Sequence, residues 1–251
     1  MTPLEPILPP VPDSTVVLTF DDGNRSDLEL VAPRLAERGF GATFFITNDE
    51  RICGDKTNYL KWSEVKELDA AGFEIGNHMI EHADVSTRTR VELETSLRGL
   101  EDMCAKWGIR PPCTFCYPGY ATSRECAEVL RDHGYLFARR GCEPVSTREQ
   151  YGHGGRGPAY DLQIDPALLV PTTGAAGPNW GEEDLRWAID QARDGRVAVL
   201  TFHGVPDSHP HCSTAPGDFE RYLQVLVERN CKVIALGELK SYVAPGRLSS
   251  N

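Results

Sequence analysis

The sequence predicts an α/β fold built on a parallel sheet, closed as a barrel or doubly wound, and three observations carry that expectation. Apolar runs of β type alternate with amphipathic stretches about eight times along 251 residues, the pattern of parallel strands joined by helices. Apolar residues in the amphipathic stretches recur at three- and four-residue spacing, as helices burying one face require. Several of those stretches end in a glycine, at 39, 72, 108, 134 and 195, and glycine takes the left-handed cap without steric cost.

Taken in order, residues 1–13 are proline-rich and read as an extended lead-in. Strands are expected at 16–20, 42–46, 73–76, 114–117, 135–138, 168–171, 197–202 and 232–236. Each is a short apolar run bounded by turn residues. Helices are expected at 27–38, 62–71, 87–107, 123–133, 182–194 and 218–229, each filling a gap between two strands. The segment 141–157, GCEPVSTREQYGHGGRG, reads as a long loop beside the site. No internal boundary is visible, so one domain is expected over 14–245 with a tail at 246–251. The length suits a single α/β barrel.

Composition narrows the function. Apolar residues make up 40% and charged residues 25%, ordinary for a soluble globular chain. A formal net charge of −11 disfavours nucleic acid and anionic lipid as partners. No apolar run approaches the roughly 18–20 residues of a membrane span. The start, MTPLEPILPPVPDS, lacks a basic region, a long apolar core and a cleavage site, so a cytoplasmic location is expected. Eight cysteines spread through a large chain are expected to be reduced thiols. Cys113 and Cys116 form a lone CxxC, for which structural zinc is not expected.

In parallel α/β folds the carboxyl ends of the strands converge on one face, and four groups of polar residues fall at such ends. Asp21 and Asp22 follow the first strand, His78 and His82 the third, the stretch 117–120 the fourth, and His203 the strand at 197–202. Two adjacent carboxylates repel, so a nearby cation or proton is needed to make them tolerable. The His78-x-x-x-His82 spacing brings two imidazoles to one side of a helical turn, and a carboxylate would complete a two-His, one-carboxylate site. Either motif alone is more often a turn or a cap; together they supply a metal site and a spare carboxylate. His203 is then a candidate acid or base. His209, His211 and Cys212 read as exposed loop residues, and His133 and His153 as structural or surface residues.

With these residues in place, the sequence resembles the polysaccharide deacetylase superfamily, also described as carbohydrate esterase family 4 or the NodB-homology domain. The resemblance rests on TFDDG at 19–23, on the His-x-x-x-His at 78–82 and on TFHG at 201–204, and it spans roughly 16–239. It implies a distorted (β/α) barrel of seven or eight parallel strands, TIM-like, and metal-dependent hydrolysis of an N-acyl or O-acyl group, with N-acetyl expected. By position it implies Asp21 as base, Asp22, His78 and His82 as ligands of a divalent metal, His203 as general acid and Gly119 as oxyanion donor. Zinc is the first expectation, with cobalt, manganese, nickel or iron as alternatives. The implied substrate is a small molecule or oligosaccharide carrying an N-acylated amino sugar.

Three positions depart from the family's pattern. Cys116 stands where an arginine often orients the base, Thr201 where leucine is usual, and Asn179-Trp180 is the nearest likeness to an Asp-Trp pair. Asp165 is taken as the residue that orients His203. A metal-independent, allantoinase-like amidohydrolase, a magnesium-dependent phosphoryl-transfer enzyme and a catalytically silent sugar- or partner-binding barrel remain as alternatives. The lack of a phosphate-cradling glycine loop weighs against the second.

Overall fold

The structure is a computed structural model, and it describes residues 8–147, 149–150 and 154–244. The parallel strands are β1 (Thr15–Asp21), β2 (Thr43–Ile46), β3 (Glu74–Asn77), β4 (Thr114–Cys116), β5 (Phe137–Arg139), β8 (Gly174–Ala175), β9 (Arg196–Phe202) and β10 (Lys232–Ile234). Two short strands, β6 (Gly155–Arg156) and β7 (Tyr160–Asp161), pair antiparallel with β8 and β9. The sheet runs β5-β4-β3-β2-β1-β9-β8-β6. The lower half of β1 also pairs with β10, through Thr15↔Lys232 to Val17↔Ile234.

β1 reads as a continuous apolar run because it is central: all seven of its residues are buried. Alternation still sorts its side chains. Val16, Leu18 and Phe20 pack outward under the helices, where Phe20 stacks on Phe44 and Phe202 at 5.1 and 5.3 Å. Val17 belongs to the inner cluster with Phe45, Val199 and Ile234. Thr19 and Asp21 continue that inward register, so the period of the strand carries Asp21 into the barrel interior.

The outer layer contains α1 (Ala32–Glu37), α3 (Trp62–Ala70), α4 (Arg90–Trp107), α5 (Arg124–Asp132), α6 (Glu182–Gln191) and α7 (Pro216–Glu228), with one extra turn, α2 (Glu50–Cys53). α4 opens on a reciprocal capping box between Thr89 and Glu92 and stops at Gly108, whose φ of 69° is left-handed. The helix expected at 27–38 divides into a π-helical turn at Asp27–Val31 followed by α1. Pro33 in the first turn of α1 has no amide to donate, and the ladder changes type there.

One expected strand is not regular. Residues 168–171 hold the end of a 3₁₀ turn, Ala167–Leu169, and then a single parallel bridge, Arg139↔Val170. Pro171 cannot donate to a ladder, which limits the pairing to Val170. The Val170 N–H donates to the Ala138 carbonyl and the Val170 carbonyl accepts from Arg140 N–H, both at 2.8 Å. This bridge is what joins β5 to the segment leading into β8, so the curled parallel sheet is a distorted (β/α) barrel. Of the expected loop at 141–157, residues 155–156 instead form β6. His153 lies outside the described residues.

Candidate active site

The end of β1 places Asp21 and Asp22 differently. Asp21 is the last strand residue and points inward, 1% exposed, while Asp22 turns out of the strand with a left-handed φ of 73°. That turn separates the two carboxylates. Asp22 Oδ1 lies 3.5 Å from both His78 Nε2 and His82 Nε2, and these three donor atoms fall within 4.8 Å of one another.

The two imidazoles are not brought together by a helical turn, as the spacing suggested. The chain leaves β3 at Asn77 and passes through left-handed Met79 and His82 before reaching the next turn. Asn77 holds that irregular loop, accepting from Met79 N–H at 2.8 Å and donating to the Tyr135 hydroxyl at 2.6 Å. The rings of His78 and His82 meet edge to face at 4.7 Å.

The donor set fits a divalent cation. His78 Nδ1 lies 2.8 Å from the Cys116 carbonyl, which can only accept, so Nδ1 carries the proton and Nε2 offers its lone pair. Burial, then the neighbouring His82, lower the His78 pKa to about 4, so the ring is neutral at neutral pH, as a ligand must be. Asp22 Oδ1 is buried with no hydrogen-bond partner among the described residues, an acceptor left for something that is not protein. A second group, Asp21, His78 and Cys116, is also compact. It fits less well, because Arg139 already engages Asp21 and burial holds the Cys116 thiol far above its ordinary pKa.

Arg139 is the residue that reading the sequence missed. Cys116 of β4 and Arg139 of β5 are register partners, and both side chains enter the interior. Arg139 Nη2 donates to both oxygens of Asp21 at 2.6 Å and contacts Cys116 Sγ. Nη1 reaches Thr172 Oγ1 at 3.2 Å. The guanidinium lies 5.5 Å from the Phe45 ring centre and 5.3 Å from that of Tyr120. The small Cys116 leaves the space into which this guanidinium reaches. Burial would raise the Asp21 pKa, but the Arg139 charge, helped by His78 and His203, outweighs it and holds the carboxyl below the usual carboxylate range. Asp21 therefore stays ionised without an arginine at position 116. The strand-end rule that selected the aspartates would also have selected Arg139, the last residue of β5.

His203 follows β9, and its Nε2 stands 4.0 Å from Asp21 Oδ2 and from Asp22 Oδ2. Its Nδ1 is buried with no hydrogen-bond partner among the described residues. Asp165 does not orient it. The Asp165 carboxylate accepts from Asp161 N–H at 2.8 Å in the turn after β7, because a local turn satisfies that carboxylate first. Trp180 does not reach the site either; it packs against Phe202 and Tyr222. Thr201 sits in an interior hydroxyl chain, 3.3 Å from Thr19 Oγ1 and 3.0 Å from Thr172 Oγ1. Thr201 is not part of the cavity wall.

That wall encloses a cavity of about 400 Å³. Asp21, Asp22, His78, His82 and His203 line it together with Gly119 and Tyr120. Gly119, with φ 56°, and Tyr120, with φ 61°, turn the chain after β4 in the left-handed region. Tyr59, His209, His211 and Cys212 also line it, so the histidines read as loop residues border the site.

One strand-end cavity of this parallel barrel thus holds an aspartate pair, two clustered imidazoles and a third histidine. The sequence model of the family described as polysaccharide deacetylase matches residues 9–138, and the chain belongs to that family. It is 29% identical over 122 residues to a chitin deacetylase of Pestalotiopsis sp, covering 49% of this chain and 40% of that protein. The match thus spans less than half the length of that curated relative. Among solved structures, a family 4 acetyl xylan esterase from Clostridium thermocellum in complex with a cobalt ion superposes with a TM-score of 0.60 at 22% identity, covering 94% of this chain and 95% of that one. A pseudoenzyme of the CE4 family from Bacillus anthracis superposes with a TM-score of 0.60 at 16% identity, covering 92% and 67%. The structural likenesses establish the fold.

Proposed function

We propose that this protein hydrolyses the N-acetyl amide of an acetylated amino sugar, with a divalent cation, zinc first, held by Asp22, His78 and His82. The observation that carries the metal reading is the buried, partnerless Asp22 Oδ1 facing two imidazole nitrogens at 3.5 Å. The cation, when bound, supplies Lewis acidity, polarising an acyl carbonyl and acidifying water.

The chain's own residues divide the remaining work. Asp21, kept ionised by Arg139, takes the proton from the attacking water. The N–H of Gly119 stabilises the charge that develops on the acyl oxygen, a contribution typically of about 2.7–4 kcal/mol. His203 returns a proton to the departing amine, which is too basic to leave as an anion. Arg139 weighs against a silent barrel on one of its two supports, since the base has an orienting cation despite Cys116.

Metal analysis of the purified protein, combined with acetate release from N-acetylated chito-oligosaccharides, tests this reading. One divalent ion per chain and acetate release are expected. His82→Ala should lose the ion and the activity together. A protein that releases acetate at full rate after chelation would overturn the metal assignment.

A further inference from the structure

We propose that His209, held in place by Asp207 and Tyr59, is a substrate-binding residue: its Nε2 accepts a hydrogen bond from a hydroxyl or N–H on the half of the substrate that remains after deacetylation. The proposal rests on the deacetylase reading above.

Asp207 is built in as an anchor. Its side chain is 2% exposed. One oxygen accepts from the N–H of Gly204, the residue after His203, at 2.9 Å. The other accepts from His209 N–H at 2.7 Å and lies 3.1 Å from His209 Nδ1. An ionised carboxylate can only accept, so Nδ1 carries the proton facing Asp207, and in that neutral tautomer the lone pair is on Nε2. The hydroxyl of buried Tyr59 stands 3.1 Å from the same Nδ1, arriving from the segment before α3. Two separate segments therefore hold the Nδ1 edge of a ring that is itself 53% exposed.

The ring borders the same cavity as Asp22 and His203, but it has a different task available. His78 and His82 are committed to Asp22, and His203 faces the aspartate pair. His209 is tied to no carboxylate of that pair. The cavity, about 400 Å³, falls within the range of small-molecule sites, about 300–1,000 Å³. It has room for a sugar as well as an acetyl group. A lone pair at its wall is an acceptor for the hydroxyls and N–H groups of such a ligand.

The test compares wild type, His209→Ala, His209→Gln and Asp207→Asn on N-acetylated chito-oligosaccharide and on phenyl acetate, which offers no hydroxyl or N–H. For His209→Ala, the ratio of the oligosaccharide KM to the phenyl acetate KM should rise about tenfold, the scale of one net hydrogen bond. kcat should change far less, and metal content should stay at the wild-type level. His209→Gln should recover much of the loss, because its amide oxygen accepts; Asp207→Asn should follow His209→Ala. An unchanged KM ratio, or loss of metal in His209→Ala, overturns the proposal. If wild type releases no acetate from either substrate, the deacetylase reading fails separately. The dissociation constant for the deacetylated oligosaccharide then decides: a tenfold weakening in His209→Ala supports the role, while equal binding or no binding by wild type overturns it.

Discussion

Asp21 and Asp22 are neighbours in the chain and have unlike surroundings, because one ends a strand and the other begins a left-handed turn. Asp21 is matched by the Arg139 guanidinium, while Asp22 Oδ1 has no hydrogen-bond partner among the described residues. The Arg139–Asp21 pair is almost wholly out of water, with side chains 0% and 2% exposed. Removing one member of such a pair leaves a bare buried charge and costs about 3–5 kcal/mol. Arg139→Ala should therefore lower the unfolding free energy obtained from urea denaturation by that order and sharply reduce acetate release, with metal content as in the wild type. Asp21→Asn in the same chain should give back much of the lost stability, since the two sites are coupled. Additive losses in a double-mutant cycle on chemical denaturation would exclude this coupling.

The site depends on how closely two strands approach. β2 and β3 are in register, with Phe45 opposite Gly76, and a Cβ at Gly76 would stand 2.4 Å from the Phe45 ring. Phe45 also flanks the Arg139 guanidinium, so its ring has little freedom to retreat. Gly76→Ala should cost about 1–3 kcal/mol, the usual scale of interior overpacking. Because His78 lies two residues on, the same change should weaken metal binding, readable by competition with a chelator. Thermal and chelator titrations that leave Gly76→Ala equal to wild type would show that β3 can shift without disturbing the ligands. The capping box of α4 belongs to the same scale: Thr89→Ala should cost about 1 kcal/mol without touching the site.

For the molecule as a whole, the cluster of acids around the strand ends sets a pH dependence. Asp27 is completely buried, and its carboxyl is held well above the ordinary range, first by burial and then by the charges of Asp207, Asp22 and Asp21. A raised carboxyl pKa means that the folded state holds a proton the unfolded chain releases near pH 4. Stability therefore falls as pH rises from about 4 toward the folded pKa, and the full cost is reached above it. Asp27→Asn carries no such proton, so it should gain stability over wild type with rising pH and be nearly neutral at pH 4. Melting temperatures of both proteins across that range check the sign. Among the described residues no helix is long and apolar enough to cross a membrane.

Much of the arrangement is legible in the sequence. Hydrophobic period and helix-ending glycines determine the strand order of residues along the chain, and TFDDG, His-x-x-x-His and TFHG mark the strand ends that meet. These are local signals, written in neighbouring residues. Position 168–171 was misread because an apolar run does not reveal whether its amides find a partner, and Pro171 removes one. What only the tertiary structure decided is which distant side chain occupies a given interior volume. Arg139 reaches Cys116 because β4 and β5 are register partners, and His209 borders the cavity in contact with Asp207 and Tyr59. Packing of segments remote in sequence has no local period to read, so the partner of Asp21 and the far wall of the site emerge only when the sheet curls.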